Sequence, residues 1–318
     1  MYIGGALNEA VERMPVETEL VAGLLPFRSV NVLVGDSGVG KTPLVHQLAL
    51  AVAAGIPFLG AATQRSRVLL LDYENGRRDA NRMLEQQRKH LGLDAYPTPT
   101  FVYWPVDSAA QQARIAAVIR NMAPRLLIID SLRSFCPTFE NGNTAAVEQI
   151  KRLRTLSTQC GTCVLLVHHV HKRRRPTSLE DSIALDWLLA ASGARALINQ
   201  TDVRLALARS REIPDGLILR GQRRTHGEVG PFHLNRRLDS SGKPLGYELS
   251  AVVPLKNPEH EAAFARLPEV FSFGQAKAAL GKSNKPTNSF LHKLLITKRV
   301  QKTGWGVYKK GRQQELSQ

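Results

Sequence analysis

Cysteine is scarce in this 318-residue chain, which contains three. Three cysteines, an odd number, are too few for a disulfide framework. A cytoplasmic location is therefore expected. Long apolar runs are also missing. The longest, residues 48–62, is interrupted by Gly55, Pro57 and Gly60 and is shorter than the about 20 residues that a membrane span needs. The first residues show no charged and then apolar signal segment, so no membrane partner is expected.

Acidic residues are few as well, with 27 Asp and Glu against 43 Lys and Arg, so the formal net charge is +16. Apolar residues make up 43% of the chain, which excludes a disordered or collagen-like protein; the length predicts one large and one small domain. The charge is uneven, because residues 271–318 contain ten basic residues and a single acid, Glu315. A basic C-terminal module predicts a polyanion as partner, although a solvated lysine-rich surface would have the same composition.

Short aliphatic runs alternate with helical patterns along most of the chain, which is typical of strands covered on both faces of a sheet. Strands are predicted at 30–34, 68–71, 100–103, 126–129 and 164–167, and helices at 43–54, 79–91, 109–121 and 145–159. After a helix at 185–191, strands at 203–208, 216–219, 230–235 and 246–251 predict an antiparallel extension. The fold class is therefore α/β with a largely parallel central sheet. A linker at 254–260 is expected between domains at 1–253 and 261–318.

A glycine-rich loop that matches G-x-x-x-x-G-K-[ST] follows the first predicted strand and precedes the first predicted helix. In such a loop backbone N–H groups surround the β-phosphate of ATP, Lys41 reaches the β and γ oxygens, and the Thr42 hydroxyl coordinates Mg²⁺. Pro43 falls in the first helical turn, where its missing N–H is harmless. The predicted nucleotide-binding residues are Gly35, Asp36, Ser37, Gly38, Val39, Gly40, Lys41, Thr42 and Pro43.

Acidic side chains end two of the predicted strands. Asp130 follows four aliphatic residues, at the carboxyl end of its strand, and is predicted to help hold Mg²⁺. Asp72 and Glu74 follow another strand and would point to the same side if the strand extended that far. Either is a candidate general base for water, and Glu74 lies further out; solvated turn acids are the alternative interpretation.

Histidines end a third strand, in the sequence Val167-His168-His169. A histidine in this place can hydrogen-bond the γ-phosphate and transmit its loss to neighbouring loops. Cys160 and Cys163 form a C-x-x-C pair, but the histidines lie at the other end of the strand and the sequence has no second pair. Cysteines packed in the core are therefore favoured over a zinc site.

Taken in order, these motifs resemble those of the RecA-like ATPases of the RepA replicative-helicase type. The resemblance covers about residues 17–250 and includes the segment that begins Glu19-Leu-Val-Ala-Gly, the phosphate loop, residues 51–60, Leu70-Leu-Asp-Tyr-Glu74, Leu127-Ile-Ile-Asp130-Ser-Leu and Val167-His168-His169. It implies a ring, usually a hexamer, that hydrolyses ATP with Mg²⁺ and moves on single-stranded DNA.

Residue by residue, the resemblance makes Lys41 and Thr42 the phosphate and Mg²⁺ ligands. It makes Glu74 the catalytic base, Asp130 the second magnesium acid, and His168 or His169 the sensor of the γ-phosphate.

An arginine finger from the next subunit is also implied, and Arg204, Arg223 and Arg224 occupy the matching stretch. The family usually has a lysine and an arginine near the second of these points, where this chain has Gln222-Arg223-Arg224. The loops at 133–143 and 172–181 would line the pore. Arg173, Arg174 and Arg175 are predicted to contact the DNA backbone there, with a solvated loop as the alternative.

The last residues follow a second pattern, with helices predicted at 261–267, 273–280 and 285–299 and two short strands at 300–310. This order resembles the winged-helix family and implies binding to duplex DNA, although such modules also dock proteins. The predicted DNA contacts are Lys285, Thr287, Asn288, Ser289, His292 and Lys293 on the exposed face of the third helix, and Lys302, Trp305, Lys309 and Lys310 on the wing.

The combined hypothesis is an ATP- and Mg²⁺-dependent DNA motor of replication, working as a homohexamer or another ring beside other replication proteins. Two alternative functions stay open. One is an ATPase that loads, remodels or recombines without unwinding, and the other is a DNA-binding regulator in which ATP sets the oligomeric state. The pair Glu74 and Asp130 argues for hydrolysis.

Overall fold

The computed structural model describes residues 19–136, 143–169, 178–180, 184–191, 195–211, 213–225, 227–250, 258–296, 299–304 and 306–310. These residues divide into two compact units, one of residues up to 210 with 217–249, the other of 211–216 with those from 250 onward. Within these ranges, no helix combines the length and the apolar character that crossing a membrane requires.

The first unit contains both short and long strands. They are β1 (Glu19–Val21), β2 (Leu25–Pro26), β3 (Val30–Gly35), β4 (Val68–Asp72), β5 (Phe101–Pro105), β6 (Leu126–Asp130), β7 (Cys163–His169), β8 (Val203–Arg209), β9 (Leu217–Arg223), β10 (Glu228–Leu238) and β11 (Pro244–Leu249). Its described helices are α1 (Lys41–Ala54), α2 (Arg77–His90), α3 (Ala109–Met122), α4 (Leu132–Phe135), α5 (Asn143–Cys160), α6 (Ala184–Ala191) and α7 (Arg195–Gln200).

A nine-stranded sheet organises this unit, in the order β11-β10-β9-β8-β3-β7-β6-β4-β5. The six strands from β8 to β5 are parallel, whereas β9, β10 and β11 add to β8 in antiparallel fashion. The predicted α/β class with a largely parallel sheet is confirmed.

The central strands are aliphatic at nearly every position because helices cover both faces of the sheet. Leu33 of β3 joins the apolar cluster that includes α1, whereas Val32 and Val34 join the cluster that includes α3 and α5. The parallel strands end at one edge, where Gly35 pairs with His169 and Asp72 pairs with Asp130. The motifs of the sequence therefore meet at the carboxyl edge of the sheet.

The bounds of the long elements lie within a few residues of the predicted ones. Five short elements, β1, β2, α4, α7 and the later strand β12 (Val270–Ser272), have no counterpart among the predictions. Each has two to six residues, which is too few for a periodic pattern to emerge.

The second unit contains α8 (Pro258–Arg266), β12, α9 (Phe273–Leu280), α10 (Asn284–Ile296), β13 (Val300–Gly304) and β14 (Val307–Lys310). The three strands form a sheet in the order β12-β14-β13. Phe271, Phe290 and Leu294 are fully buried in a core of its own. Helix α8 begins at Pro258, so it includes the last residues of the predicted linker.

The prediction that Thr287 faces solvent is wrong. It is fully buried, and its hydroxyl donates to the Ser283 carbonyl at 2.9 Å. Its spacing from Leu291 and Leu294, four and seven residues, places it on the apolar face of α10. The exposed polar residues of the predicted DNA set are Lys285, Asn288, Ser289 and Lys302; Lys309 and Lys310 are half-buried.

Candidate active site

The phosphate loop leaves β3 at Gly35 and enters α1 at Lys41. Gly38 and Gly40 adopt left-handed backbone conformations with φ of +71° and +113°, which side chains disfavour. Gly40 caps α1, and no side chain bonds to the first N–H groups of the helix. The positive end of α1 is therefore open to an anion.

The ammonium group of Lys41 is buried, with 3% of the residue exposed. Its Nζ donates to the carbonyls of Gly35 at 2.9 Å and Asp36 at 2.8 Å. Burial lowers the pKa of Lys41 to about 8, although Asp130 and Glu74 oppose this shift. Lysine is thus held inside the loop by backbone oxygens that a phosphate can replace.

Thr42 and Asp130 lie side by side, since the Thr42 hydroxyl donates to Asp130 Oδ2 at 2.7 Å. Asp130 is 1% exposed, and its Oδ1 has no hydrogen-bond partner among the described residues. Burial raises the pKa of Asp130 to about 6, against the effect of the Thr42 hydrogen bond. A hydroxyl and a carboxylate oxygen with free capacity form the hard oxygen donor set that suits Mg²⁺.

Glu74 reaches the same place from the loop after β4. Its carboxylate accepts a hydrogen bond from the Ser131 hydroxyl and lies 3.0 Å from His169 Nε2 through both oxygens. These bonds, that from His169 first, lower the pKa of Glu74 despite its partial burial. The side chain is therefore ionised at neutral pH, as a base that accepts a proton from water requires.

His169 connects Glu74 to Lys41, because its Nδ1 lies 3.1 Å from Lys41 Nζ. The ammonium is a donor, so Nδ1 accepts and Nε2 carries the hydrogen that faces Glu74. His168 instead is buried inside β7 beside Val34. Of the two predicted sensors, the structure brings His169 to the phosphate loop.

Strand β4 ends at Asp72, so the alternation of side chains along a strand does not extend to Glu74. Asp72 is 2% exposed, and its carboxylate faces the backbone of its own loop at Glu74 and Asn75. Of the two candidate bases, Glu74 is the one that contacts His169, whose other ring nitrogen lies beside Lys41.

Tyr247 also borders the phosphate loop, a contact that sequence reasoning missed. Its hydroxyl lies 3.4 Å from the Gly40 carbonyl, and a Cβ on Gly40 would overlap that hydroxyl. Gln47 of α1 fixes the tyrosine, because its amide donates to the Tyr247 carbonyl at 2.8 Å and accepts from the Tyr247 N–H at 2.9 Å. Tyr247 belongs to β11, far along the chain, and no local sequence motif marks it.

The three arginine candidates lie at the opposite, amino end of the sheet. Arg204 pairs with Val32 in the β3–β8 register and is 8% exposed. Arg223 forms an ion pair with Glu19 at 2.6 Å, and Arg224 is exposed. None of the three is beside the phosphate loop of its own chain.

Several predicted DNA contacts lie outside the described residues. They are Arg173, Arg174, Arg175 and Trp305, together with the side chains of His292 and Lys293. Cys163 is fully buried, and its Sγ accepts from the Asn31 amide at 3.2 Å, in keeping with a packing role.

The segment that carries the phosphate loop and the strands beside it matches a protein-family model. The model described as AAA domain (AAA_25) matches residues 7–175, just over half of the chain. The chain belongs to the AAA domain family. The family gives it an ATPase domain of the P-loop type, and the match includes the phosphate loop, Glu74, Asp130 and His169. No curated protein sequence matches this AAA domain protein.

Proposed function

We propose that the protein hydrolyses ATP with Mg²⁺ and uses the energy to move on DNA, as a replicative helicase of the RepA type. The observation that carries the hydrolytic part is the convergence of Lys41, Thr42, Asp130, Glu74 and His169. These side chains come from four separate segments, and hydrogen bonds link them within two groups, one of Lys41, His169 and Glu74 and one of Thr42 and Asp130.

Each residue has a distinct role in this proposal. Lys41 leaves the carbonyls of Gly35 and Asp36 for the β and γ oxygens of ATP, while Thr42 and Asp130 would hold Mg²⁺. Bound Mg²⁺ would neutralise negative charge on the phosphate oxygens. Glu74 accepts a proton from the attacking water, the water oxygen bonds to the γ-phosphorus, and the bond from that phosphorus to the bridging oxygen breaks to give ADP and phosphate. His169 exchanges its contact with Glu74 for one with the γ-phosphate.

Arg224 is the best candidate for the trans-acting finger, because Arg204 is buried and Arg223 is already paired with Glu19. In a ring, each site would combine one subunit's Lys41 with the next subunit's Arg224. Mixing the Lys41→Ala and Arg224→Ala proteins should then restore ATP hydrolysis that neither variant has alone. A mixture as inactive as its components would rule out Arg224.

The DNA part of the proposal rests on the order of the motifs and on the basic second unit. Its succession of α8, β12, α9, α10 and a β13–β14 hairpin suits a winged helix, with α10 as the helix that enters the major groove. Lys285 on α10 and Lys302 on β13 are both exposed. Lys310 packs with its ammonium 4.8 Å from the Phe264 ring, so it contributes less to a DNA surface.

The first experiment combines ATPase and strand-displacement assays on the full chain. Wild type should hydrolyse ATP faster with single-stranded DNA and should separate a forked duplex, and Lys41→Ala should lose both activities. Stimulated hydrolysis without strand displacement would favour a loader, remodeller or recombinase. Turnover near background with ATP-dependent duplex binding would favour the regulator.

A charge-reversal experiment tests the second unit. The double variant Lys285→Glu, Lys302→Glu should weaken duplex binding and flatten its salt dependence while leaving DNA-stimulated ATP hydrolysis in place. The charge-matched control is Lys151→Glu, Lys243→Glu in the first unit, at two exposed lysines. Equal loss of duplex binding in both double variants would contradict a specific site on the second unit.

A further inference from the structure

The loop between β4 and α2 carries Glu74, and its shape depends on one buried carboxylate. Oδ1 of Asp72 accepts from the backbone N–H groups of Glu74 and Asn75, both at 3.0 Å. The Asn75 side-chain amide lies 3.1 Å from both oxygens of Asp72. An aspartate that accepts from N–H groups two and three residues ahead fixes a tight turn.

A second element holds the other side of the same carboxylate. The hydroxyl of Tyr103, on the neighbouring strand β5, donates to Asp72 Oδ2 at 3.1 Å. His46 of α1 is fully buried with its ring edge-to-face to Tyr103, at 6.5 Å between centroids. Tyr103, which belongs neither to the loop nor to the phosphate site, therefore anchors the loop to the sheet.

No lysine or arginine among the described residues forms an ion pair with Asp72. His46 is also close enough to feel the charge of Asp72, but burial outweighs that attraction and lowers the histidine pKa to about 4, so that the ring is neutral. A 2%-exposed carboxylate is costly to bury, and here only N–H and O–H donors compensate it. An ordinary surface turn would not require an acid in such a place.

The anchoring matters because of where the loop delivers Glu74. The backbone of Glu74 is fixed by Asp72, while its carboxylate is fixed by Ser131 and His169. A general base must lie within hydrogen-bond reach of the water it activates, so a small displacement of its backbone lowers the rate.

We propose that Asp72 is a positioning residue for catalysis, which holds the Glu74 backbone so that its carboxylate faces the attacking water. Tyr103 supports it by fixing the second carboxylate oxygen. This inference rests on the proposed function, in which Glu74 is the base.

The test uses kinetics of the full chain. Asp72→Ala should lower kcat about 10- to 100-fold while the ATP dissociation constant stays within about twofold of wild type, since no binding group is removed. Asp72→Asn keeps an oxygen acceptor for the two N–H groups and should recover most of the rate. Unchanged kcat in Asp72→Ala, or equal losses in Asp72→Asn and Asp72→Ala, would overturn the proposal.

A double-variant cycle separates positioning from general damage. In a Glu74→Gln background, Asp72→Ala should cause no further loss of single-turnover hydrolysis, because the group that it positions is absent. A further loss as large as in wild type would mean that Asp72 acts on the fold as a whole. Glu74→Gln is also the control on the proposed function: if it hydrolyses ATP at the wild-type rate, Glu74 is not the base and the function fails, whatever Asp72 does.

Tyr103→Phe keeps the test decisive if Asp72→Ala does not fold. It removes one hydroxyl and should lower kcat about two- to fivefold with ATP affinity unchanged. Tyr96→Phe is the matched control, because the Tyr96 hydroxyl lies 3.4 Å from Glu85, away from Asp72. Equal kcat values for the Tyr103 and Tyr96 variants would overturn the supporting role of Tyr103 and the proposal with it.

Discussion

The two ends of the central sheet both bury polar side chains, but these side chains differ in how completely they are hydrogen-bonded. At the amino end, the Asn31 amide donates to Ser29, Cys163 and Val164, and its oxygen accepts from the Val203 N–H. There, every polar group of Asn31 has a partner.

At the carboxyl end, Lys41 and Asp130 form no ion pair with any described residue. Lys41 contacts backbone carbonyls rather than a carboxylate, and Asp130 Oδ1 has no partner among the described residues. The Asn31 cluster at the amino end is satisfied within the protein, whereas the Asp130 carboxylate at the carboxyl end has hydrogen-bonding capacity left for a ligand. Hydrogen-bonding capacity left over at Asp130, rather than the burial of polar groups alone, separates the candidate active site from the Asn31 cluster.

The largest effects are expected from two substitutions, one at each end of the sheet. Asn31→Ala should cost about 2–4 kcal/mol of unfolding free energy, because it leaves several buried groups unpaired, yet the folded protein should keep its ATP turnover. Lys41→Ala should abolish turnover and leave stability nearly unchanged. Denaturant unfolding and ATPase assays on both variants check this, and comparable activity losses in the two would break the comparison.

The pH dependence of kcat/KM tests whether Lys41 and Asp130 at the carboxyl end control the activity. Below about pH 6 Asp130 gains a proton and no longer suits a metal ion, and above about pH 8 Lys41 loses the charge that attracts phosphate. A bell-shaped profile is expected, with about tenfold loss per pH unit beyond each limb. A flat profile from pH 5.5 to 9 would show that neither group controls the free enzyme.

A smaller effect is expected on stability at the carboxyl end. Burial raises the pKa of Asp130 from 3.8 in the unfolded chain to about 6 in the folded protein. Ionisation of Asp130 therefore begins to oppose folding above about pH 3.8, and it has its full destabilising effect above about pH 6. Asp130→Asn should therefore stabilise the nucleotide-free protein by about 1–3 kcal/mol at pH 7.5, and by less at pH 5. Denaturant unfolding at both pH values measures this; a loss of stability at pH 7.5 would contradict it.

Local patterns predicted those parts of the site that one segment determines. The loop from Gly35 to Thr42 and the strand that ends at Asp130 depend on residues adjacent in sequence, so their motifs were sufficient. The choice between His168 and His169 depends on the register of β7 against β3, which no single strand encodes.

Other features depend on distant partners or on where an element stops. The role of Asp72 follows from the end of β4 at that residue and from Tyr103 on another strand. The polarity of Thr287 predicts an exposed position, but its hydroxyl is satisfied by the Ser283 carbonyl one turn earlier, so the side chain can be buried.

The contact between Tyr247 and Gly40 bears on how short this ATPase can be made. The family match ends at residue 175, yet the phosphate loop touches a residue more than two hundred positions after it, and β3 is flanked by β8. A fragment that ends at residue 175 would lack β8 and would expose one edge of β3, the strand that leads into the phosphate loop. Exposed strand edges promote aggregation. A fragment intended to bind nucleotide should therefore extend to Leu249, and inactivity of a shorter one would say nothing about the chemistry.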